Sequence, residues 1–467
     1  MQKVNENIRK IIDFSKKNNP RGYFLDKIFS WNSKSVKPGQ IFISIKTKKS
    51  KKYDYINEAI NRGAQAIISD SQIKKSSLSK NLPTLHSDYL KDNPNKVLNF
   101  IYKNPLKSIK VFGVTGTDGK TSQLHLLAQG LYLCGKKVGV ISSEGNGIYP
   151  KLDKAAYTTP PTDILFDYFK QFNIAKVNII LVECSSQGIE QGRLSDVEFD
   201  SSILTNINKD HIDYHRSLKN YIGTKIKLLN MTKKHIFLNE SCSTTINNLK
   251  LINTKAKKHF FGLDLDFNYK NIKLGGTILD YYNIGVVFKI LKLQKISIKK
   301  ILKVISKLKP VVGRNQFIKT KNKGTYIIDY AHTPSSLLTL LKTINFYSIL
   351  SGGKLITVFG CGGNRDIWKR KVMGNISAEF SSHIILTDDN PRTEDPMKII
   401  NDIKKGINKK INLSIIPSRK SAILKAVSLA TRNDYIVIAG KGNENDILYK
   451  NHVVKHNDLK VLKARLK

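Results

Sequence analysis

The chain has 467 residues, an ordinary 40% of them hydrophobic, enough for roughly two to four domains with substantial cores. No apolar run approaches the roughly 20 residues of a membrane span, and the N-terminal MQKVNENIRKIIDFSKK lacks the apolar core of a signal peptide. The four cysteines (Cys134, Cys184, Cys242, Cys361) lie far apart, which excludes a disulfide framework or a zinc ribbon and fits a reducing cytosol.

The 79 basic residues against 36 acidic ones, net +43, would suit nucleic acid, but the lysines run through the whole chain and no aromatic-basic module accompanies them. The charge therefore reads as a general enrichment in Lys, Asn and Ile, and it also suits an anionic substrate.

In chain order, the first zone (1–107) carries the strand-like GQIFISI and AQAIISD around a helical YINEAINRGA. The second (108–310) alternates the strand-like IKVFGVTG, NIILVECSS and SSILTNI with helical stretches, and a long helix is predicted after Gly119. The third (311–467) restarts the alternation with TYIIDYA, KLITVFGCG, HIILTDD and DYIVIAGKG. β-Branched apolar runs followed by Gly- or Asp-rich loops predict buried parallel strands with the chemistry at their C-terminal ends. The expected fold class is α/β, three domains in series, with a central P-loop ATPase-like parallel sheet and a C-terminal Rossmann-like domain.

The strongest local signal is VFGVTGTDGKTSQLHLL. A strand enters Gly116-Thr117-Asp118-Gly119-Lys120-Thr121 and a helix leaves, so backbone N–H groups can close on phosphate oxygens. Lys120 can reach terminal phosphates and the Thr121 hydroxyl suits Mg²⁺. The common G-x-x-x-x-G-K-[ST] form would need Gly at position 114, which is Val114. Glu183, ending a buried strand in LVECSSQGIEQGRL, is either a second Mg²⁺ ligand or a cap of the next segment. In TNINKDHIDYH, Asp210, His211, Asp213 and His215 crowd together, either as a metal site through His211 or as a solvated polar loop.

In the last zone, Asp329, Tyr330 and His332 stand at a strand end, and as bare residues the latter two read as packing groups. GCGGNRDIWKR, TDDNPR and AGKGNE follow strands that a parallel sheet would bring side by side. Arg365 and Arg392 can bind carboxylates bidentately, and Glu444 can accept an ammonium. Asp389-Asn390-Pro391-Arg392 is predicted to be a turn, because Pro391 pushes Asn390 out of the helical region; its purpose is either to end a strand or to select a substrate.

TGTDGKTS, YTTPPT, ECSSQGIEQGR, TNINKDHIDYH, DYAHTPSSL, VFGCGGNRDIWKR, TDDNPRTEDP and GKGNE occur in the order found in the Mur ligases, and the chain resembles that family over nearly its whole length. It is most similar to the branch that adds the third residue of the peptidoglycan stem peptide. The family's loop reads T-G-T-x-G-K-[ST], which accounts for Val114.

The resemblance implies an ATP- and Mg²⁺-dependent cytoplasmic ligase. ATP phosphorylates the carboxylate of UDP-N-acetylmuramoyl-dipeptide, an incoming amine attacks the acyl phosphate, and phosphate leaves. It assigns ATP to Gly116, Thr117, Asp118, Gly119, Lys120, Thr121, Ser122, Arg314, Asp329 and His332. It assigns metal to Thr121, Glu183, His211 and a carbamylated Lys225, with Lys120, Lys225 and His211 as catalytic groups. UDP-substrate contacts fall on Ser33, Thr158, Thr159, Ser185, Gln191 and Arg193. The D-N-P-R motif marks members that take meso-diaminopimelate, placing it on Arg365, Asp389, Asn390, Pro391, Arg392, Gly440 and Glu444. Arg392 would repel the distal ammonium of L-lysine, which disfavours the sibling substrate. A monomer without membrane or specific nucleic-acid partners is expected.

The chain departs from the family pattern at Asp118 (for Asn), Tyr157, Gln187 (for His), Asn364 (for Asp), Trp368 (for Gly) and Asn443 (for His). Asn32 and Lys34 stand where Asp and Arg are usual, and KTKKSKKYDY replaces a Gly-rich stretch. Trp368 is expected to be the most disruptive, since a ring would replace a loop glycine needing unusual backbone angles. Alternative readings are a folylpolyglutamate synthetase-like ligase, a nucleic-acid-dependent P-loop ATPase, and a catalytically dead scaffold.

Overall fold

The computed structural model describes residues 2–18, 28–45, 52–262 and 278–466; residues 46–51 of the KTKKSKKYDY stretch lie outside them. The chain divides into two compact units. One is Met1–Val111, Gly139–Ile180 and Gln187–Phe199; the other is Phe112–Val138, Leu181–Ser186 and Asp200–Lys467.

The first unit opens with four strands in the order β1 (Phe29–Ser30), β2 (Ile41–Ser44), β3 (Ala66–Ser69) and β4 (Thr84–His86), each parallel to the next. Both faces are covered. Ile41, Ile43, Ala66 and Ile68 pack with Val97 and Ile101 on one side, while Phe42 and Ile67 pack with Ile56 and Ile60 of the helix Lys52–Asn61 on the other. Strands buried on both faces read as unbroken apolar runs, which is why FIS and IIS were recognisable.

The second unit holds the predicted strand β5 (Lys110–Thr115), whose last four residues belong to it. After it come β6 (Val138–Ser142), β7 (Gly145–Ile148) and β8 (Lys151–Asp153), which pair antiparallel within the first unit and have no counterpart in the sequence reading. Next are β9 (Ile179–Glu183), β10 (Phe199–Leu204), β11 (Thr232–Asn239) and β12 (Lys257–Phe261). In the second unit the strands run neighbour to neighbour as β12-β11-β10-β5-β9, and β10 lies parallel to β5. The exits of β5, β9 and β10 therefore share one edge, where α/β sheets bind ligands.

The C-terminal sheet has six strands: β13 (Gln316–Lys319), β14 (Thr325–Asp329), β15 (Leu355–Phe359), β16 (His383–Leu386), β17 (Asn412–Ile415) and β18 (Tyr435–Ala439). Their order is β13-β14-β18-β15-β16-β17, parallel except for the antiparallel β13. Ile327, Leu355, Phe359 and Val437 face one core; Tyr326, Ile356, Val358 and Ile438 face the other. With β18 between β14 and β15, the chain order breaks there, and the ends of β14, β18, β15 and β16 line one edge. Among the described residues no helix is long and apolar enough to cross a membrane.

Candidate functional site

The phosphate loop is built by its glycines and by the exit of β10. Gly116 has φ +148°, and a Cβ there would lie 1.8 Å from Thr205 Oγ1, so no other residue fits. Gly119 is left-handed at φ +79° and stands at the N-terminus of the helix Lys120–Leu133. Thr117 N donates to Asn206 O at 3.0 Å, and Asp118 N to Asn206 Oδ1 at 2.9 Å. Lys120 folds over the loop, donating to Gly116 O at 3.1 Å and Thr117 O at 2.9 Å.

The next predicted pair meets at the sheet edge. Thr121 Oγ1 donates to Glu183 Oε1 at 2.9 Å, both buried, and Arg314 Nη2 stands 3.5 Å from the same hydroxyl. A hydroxyl beside a carboxylate is a hard-oxygen donor set that fits Mg²⁺. Among the described residues no three His, Cys, Asp or Glu side chains are grouped to hold a metal by themselves. Mg²⁺ commonly takes one or two carboxylates and completes its shell with phosphate oxygens and water.

Lys225, on the helix Leu218–Asn230, is fully buried against the loop: Nζ donates to Gly116 O at 2.6 Å and lies 4.5 Å from the Tyr221 ring centre. Burial, reinforced by nearby Lys120, pushes its ammonium well below the ordinary range. Burial likewise pushes His211 down to about 4, with Lys120 and Lys225 adding and Asp210 opposing. Asp210 sits 3.5 Å from His211 Nε2; burial alone would raise its carboxyl, but His211, Lys369 and His332 hold it below the usual range. His211 takes the left-handed conformation at φ +54°. Asp366 supports that turn, accepting from the backbone N–H of Ile212 (3.2 Å) and Asp213 (3.0 Å). The sequence reading passed over Asp366, because its partners are amides 150-odd residues away.

Two departures from the family pattern are accommodated. The Asp118 carboxylate accepts from Thr333 Oγ1 at 2.9 Å, and Thr333 caps the helix Pro334–Leu350. Trp368 is the first residue of the helix Trp368–Phe380, and the left-handed residue of that loop is Asn364 (φ +53°). The Trp368 ring thus meets no glycine-only backbone, and the Lys209 ammonium lies 4.3 Å over it.

In the C-terminal sheet, Asp329 ends β14 and accepts from Asn315 N (2.6 Å) and Ala331 N (2.7 Å), with burial raising its carboxyl. His332 Nδ1 lies 2.8 Å from Tyr330 O. The loops after β15, β16 and β18 come together as expected. Gly363 N donates to Asn390 O at 2.9 Å, and Arg392 Nη1 donates to Gly363 O at 2.8 Å. Arg392 is left-handed at φ +55°, an uncommon state for a residue with a Cβ, and its N–H donates to Leu448 O at 2.8 Å. Burial lowers its guanidinium, and Arg365 is the next contributor, so two like charges stand near each other.

Glu444 accepts from Tyr330 (3.1 Å), Asn390 (3.0 Å) and Lys441 (2.7 Å), and Lys441 holds it below the usual carboxylate range against the effect of burial. A Cβ on Gly440 would lie 2.5 Å from Asp389 Oδ2. Lys441 went unnoticed in the sequence, although it lies inside a quoted motif, and Asn364 was noted only as a departure from the family pattern. Asn364 Oδ1 accepts from Thr393 N at 3.1 Å and Thr393 Oγ1 at 2.8 Å.

Of the residues expected to contact the UDP-linked substrate, Arg193 donates to Thr159 O and Gln191 Oε1 in the first unit, next to half-buried Thr158. Ser33 is buried and donates to Glu58 Oε2 at 2.7 Å. Ser185 lies between the end of β9 and the helix Ser186–Glu190 in the second unit.

Comparison with known proteins agrees with this geometry. Residues 114–307 match the Mur ligase middle domain, and residues 313–442 match the Mur ligase glutamate ligase domain. The chain is 32% identical, over 96% of both chains, to a UDP-N-acetylmuramoyl-L-alanyl-D-glutamate--2,6-diaminopimelate ligase from Buchnera aphidicola subsp. Schizaphis graminum. A solved ligase of the same description is 26% identical, with TM-score 0.61, covering 96% of this chain and 95% of that one. A MurF ligase from Thermotoga maritima in complex with ADP shares the fold at 16% identity, TM-score 0.63, covering 95% and 98%.

Proposed function

The chain belongs to the Mur ligase family and is a ligase that forms carbon–nitrogen bonds, and from that premise we propose that it joins meso-diaminopimelate to UDP-N-acetylmuramoyl-L-alanyl-D-glutamate at the expense of ATP, as a cytoplasmic monomer in peptidoglycan synthesis. The observation that carries this reading is the bond from Thr333 to Asp118, 2.9 Å long. It ties a phosphate cradle to a sheet whose loops carry Arg365, Arg392 and Glu444, the charges that would match an amino acid with two zwitterionic ends. We retain three domains, 1–107, 108–310 and 311–467, for UDP-sugar, ATP and amino acid respectively.

A carboxylate is a poor electrophile, so its oxygen first takes the terminal phosphoryl group of ATP as the bond to the β,γ-bridging oxygen breaks and ADP leaves. The amine then attacks the carbonyl carbon, the C–O bond to phosphate breaks, and phosphate and the amine's proton are released. Lys120 neutralises charge on the transferred phosphoryl group. Thr121 and Glu183 would hold Mg²⁺, which supplies charge neutralisation on the phosphates. Thr159, Gln191, Arg193 and Thr158 would hold the UDP-linked substrate, with Ser33 and Ser185 at its other contacts. Glu444 would accept the ammonium, and Arg392 with Arg365 would clamp the distal carboxylate.

Lys225 is suited to carbamylation because burial favours its neutral amine. The nitrogen lone pair would attack CO₂ with loss of a proton, leaving a carboxylate-like arm that, with His211, would hold a second Mg²⁺. Lys225→Ala is expected to lose turnover at least 100-fold, and CO₂ depletion to slow the unmodified enzyme; full activity in both experiments would refute the carbamate. The overall reading is tested by phosphate release from ATP with UDP-N-acetylmuramoyl-dipeptide, with and without meso-diaminopimelate. Release that ignores the amino acid, or that responds instead to nucleic acid, would overturn it.

A further inference from the structure

We propose that Tyr330 is a positioning residue that couples the phosphate loop to the amino-acid site. The proposal rests on the reading above that Thr121 and Arg314 face the nucleotide and that Glu444 receives the amine. Three contacts form a continuous path. Arg314 Nη2 stands 3.5 Å from Thr121 Oγ1, the Arg314 guanidinium carbon lies 3.9 Å over the Tyr330 ring centre, and the Tyr330 hydroxyl donates to Glu444 Oε1 at 3.1 Å. Tyr330 thus holds one carboxylate oxygen, while Asn390 and Lys441 hold the other.

The surroundings leave no slack. A Cβ on Gly442 would lie 3.1 Å from Tyr330 Cβ and 2.6 Å from Gly313 O, and one on Gly313 would lie 2.3 Å from Asn443 N. The segment bearing Arg314 and the loop bearing Glu444 therefore approach through backbone at Gly313 and Gly442, beside the tyrosine. A displacement of Arg314 must be taken up by the Tyr330 ring or by the contact itself, since close-packed groups transmit strain.

A nucleotide phosphate beside Thr121 attracts the Arg314 guanidinium, which otherwise is held by the ring face. Its position is passed to the tyrosine hydroxyl and from there to Glu444 Oε1. Nucleotide and amino acid each bias one shared element, so the coupling is reciprocal. Tyr330 touches neither reacting group in this scheme; it acts through Arg314 and Glu444.

The test uses the full chain with two variants. Tyr330→Phe keeps the ring and removes the hydroxyl, and is expected to raise the meso-diaminopimelate KM about 10-fold while leaving the ATP KM within about two-fold. Tyr330→Leu removes the ring as well and raises both. Calorimetric titration of meso-diaminopimelate into wild type is expected to give tighter binding, about 5-fold or more, when a non-hydrolysable ATP analogue is present. In Tyr330→Leu the two affinities become equal. Arg314→Met, which leaves the tyrosine in place, removes the same difference and serves if Tyr330→Leu does not fold. An unchanged amino-acid KM in Tyr330→Phe, or wild-type coupling in Tyr330→Leu or Arg314→Met, overturns this proposal alone. Wild type that releases no phosphate with meso-diaminopimelate overturns the function above and this inference with it.

Discussion

The phosphate loop and the 389–392 turn both end parallel strands, yet they are made in opposite ways. In the loop, the unusual backbone angles fall on glycines, Gly116 and Gly119, and the loop is braced by β10 through Asn206 and Thr205. At the 389–392 turn and the loop packed against it they fall on residues with side chains, Arg392 and Asn364, and hydrogen bonds hold them there, while the neighbouring loop after β18 again uses glycines, Gly440 and Gly442. The proposed ligands account for the difference. Phosphate is gripped by backbone N–H groups, so side chains must be absent. A diamino dicarboxylic acid is distinguished by where its charges lie, so side chains must be aimed, and a strained turn can do the aiming.

The largest expected effect tests the cradle. Lys120→Ala should reduce kcat by roughly 10²–10³-fold, read by phosphate release, with little change in amino-acid affinity. An effect under ten-fold would mean that the backbone alone carries the phosphate charge. Next, Arg392→Ala should raise the meso-diaminopimelate KM by about 10–100-fold and leave the ATP KM within about two-fold. Equal kinetic constants for L-lysine and meso-diaminopimelate in the unmutated enzyme would remove the specificity assignment.

Acidification should weaken the phosphate region. His125, on the helix after the loop, and His211 are both pushed from 6.5 to about 4, chiefly by burial. The unfolded chain then binds protons between about pH 6.5 and about 4 that the folded chain does not, so stability falls as pH drops through that window. Thermal melting from pH 7 to pH 4 should show the decline, and His125→Gln should flatten it; an identical profile in that variant would assign the slope elsewhere.

The smallest effect sharpens the contrast between the two turns. Arg392→Gly should be more stable than Arg392→Ala by about 1 kcal/mol, because a left-handed residue with a Cβ carries a cost of that order. Both variants should lose diaminopimelate use alike. Equal denaturant midpoints would show that the surrounding hydrogen bonds already offset the strain.

Much of this was legible in the sequence. The parallel strands were readable because both faces are buried and their apolar runs are continuous, as in IILVE and YIVIA. The hairpin β7-β8 was not, since its glycines and polar residues carry no apolar alternation. The phosphate loop was plain from residue types at fixed spacing. Lys225 stood out only by resemblance, because nothing local separates it from Lys227; burial against Gly116 does. The contacts of Asp366 and Tyr330 were unreadable because their partners are distant in the chain.

The amino-acid sequence by itself determined the strands, their Gly- and Asp-rich exits and the order of the motifs, all consequences of local geometry and of apolar runs that must be buried. The tertiary structure decided which of many similar charges matter. Among 79 basic residues, burial against the Gly116 carbonyl distinguishes Lys225, the Tyr330 ring face and the Thr121 hydroxyl distinguish Arg314, and the Gly363 carbonyl distinguishes Arg392. Those distances arise only when strands far apart in sequence lie side by side.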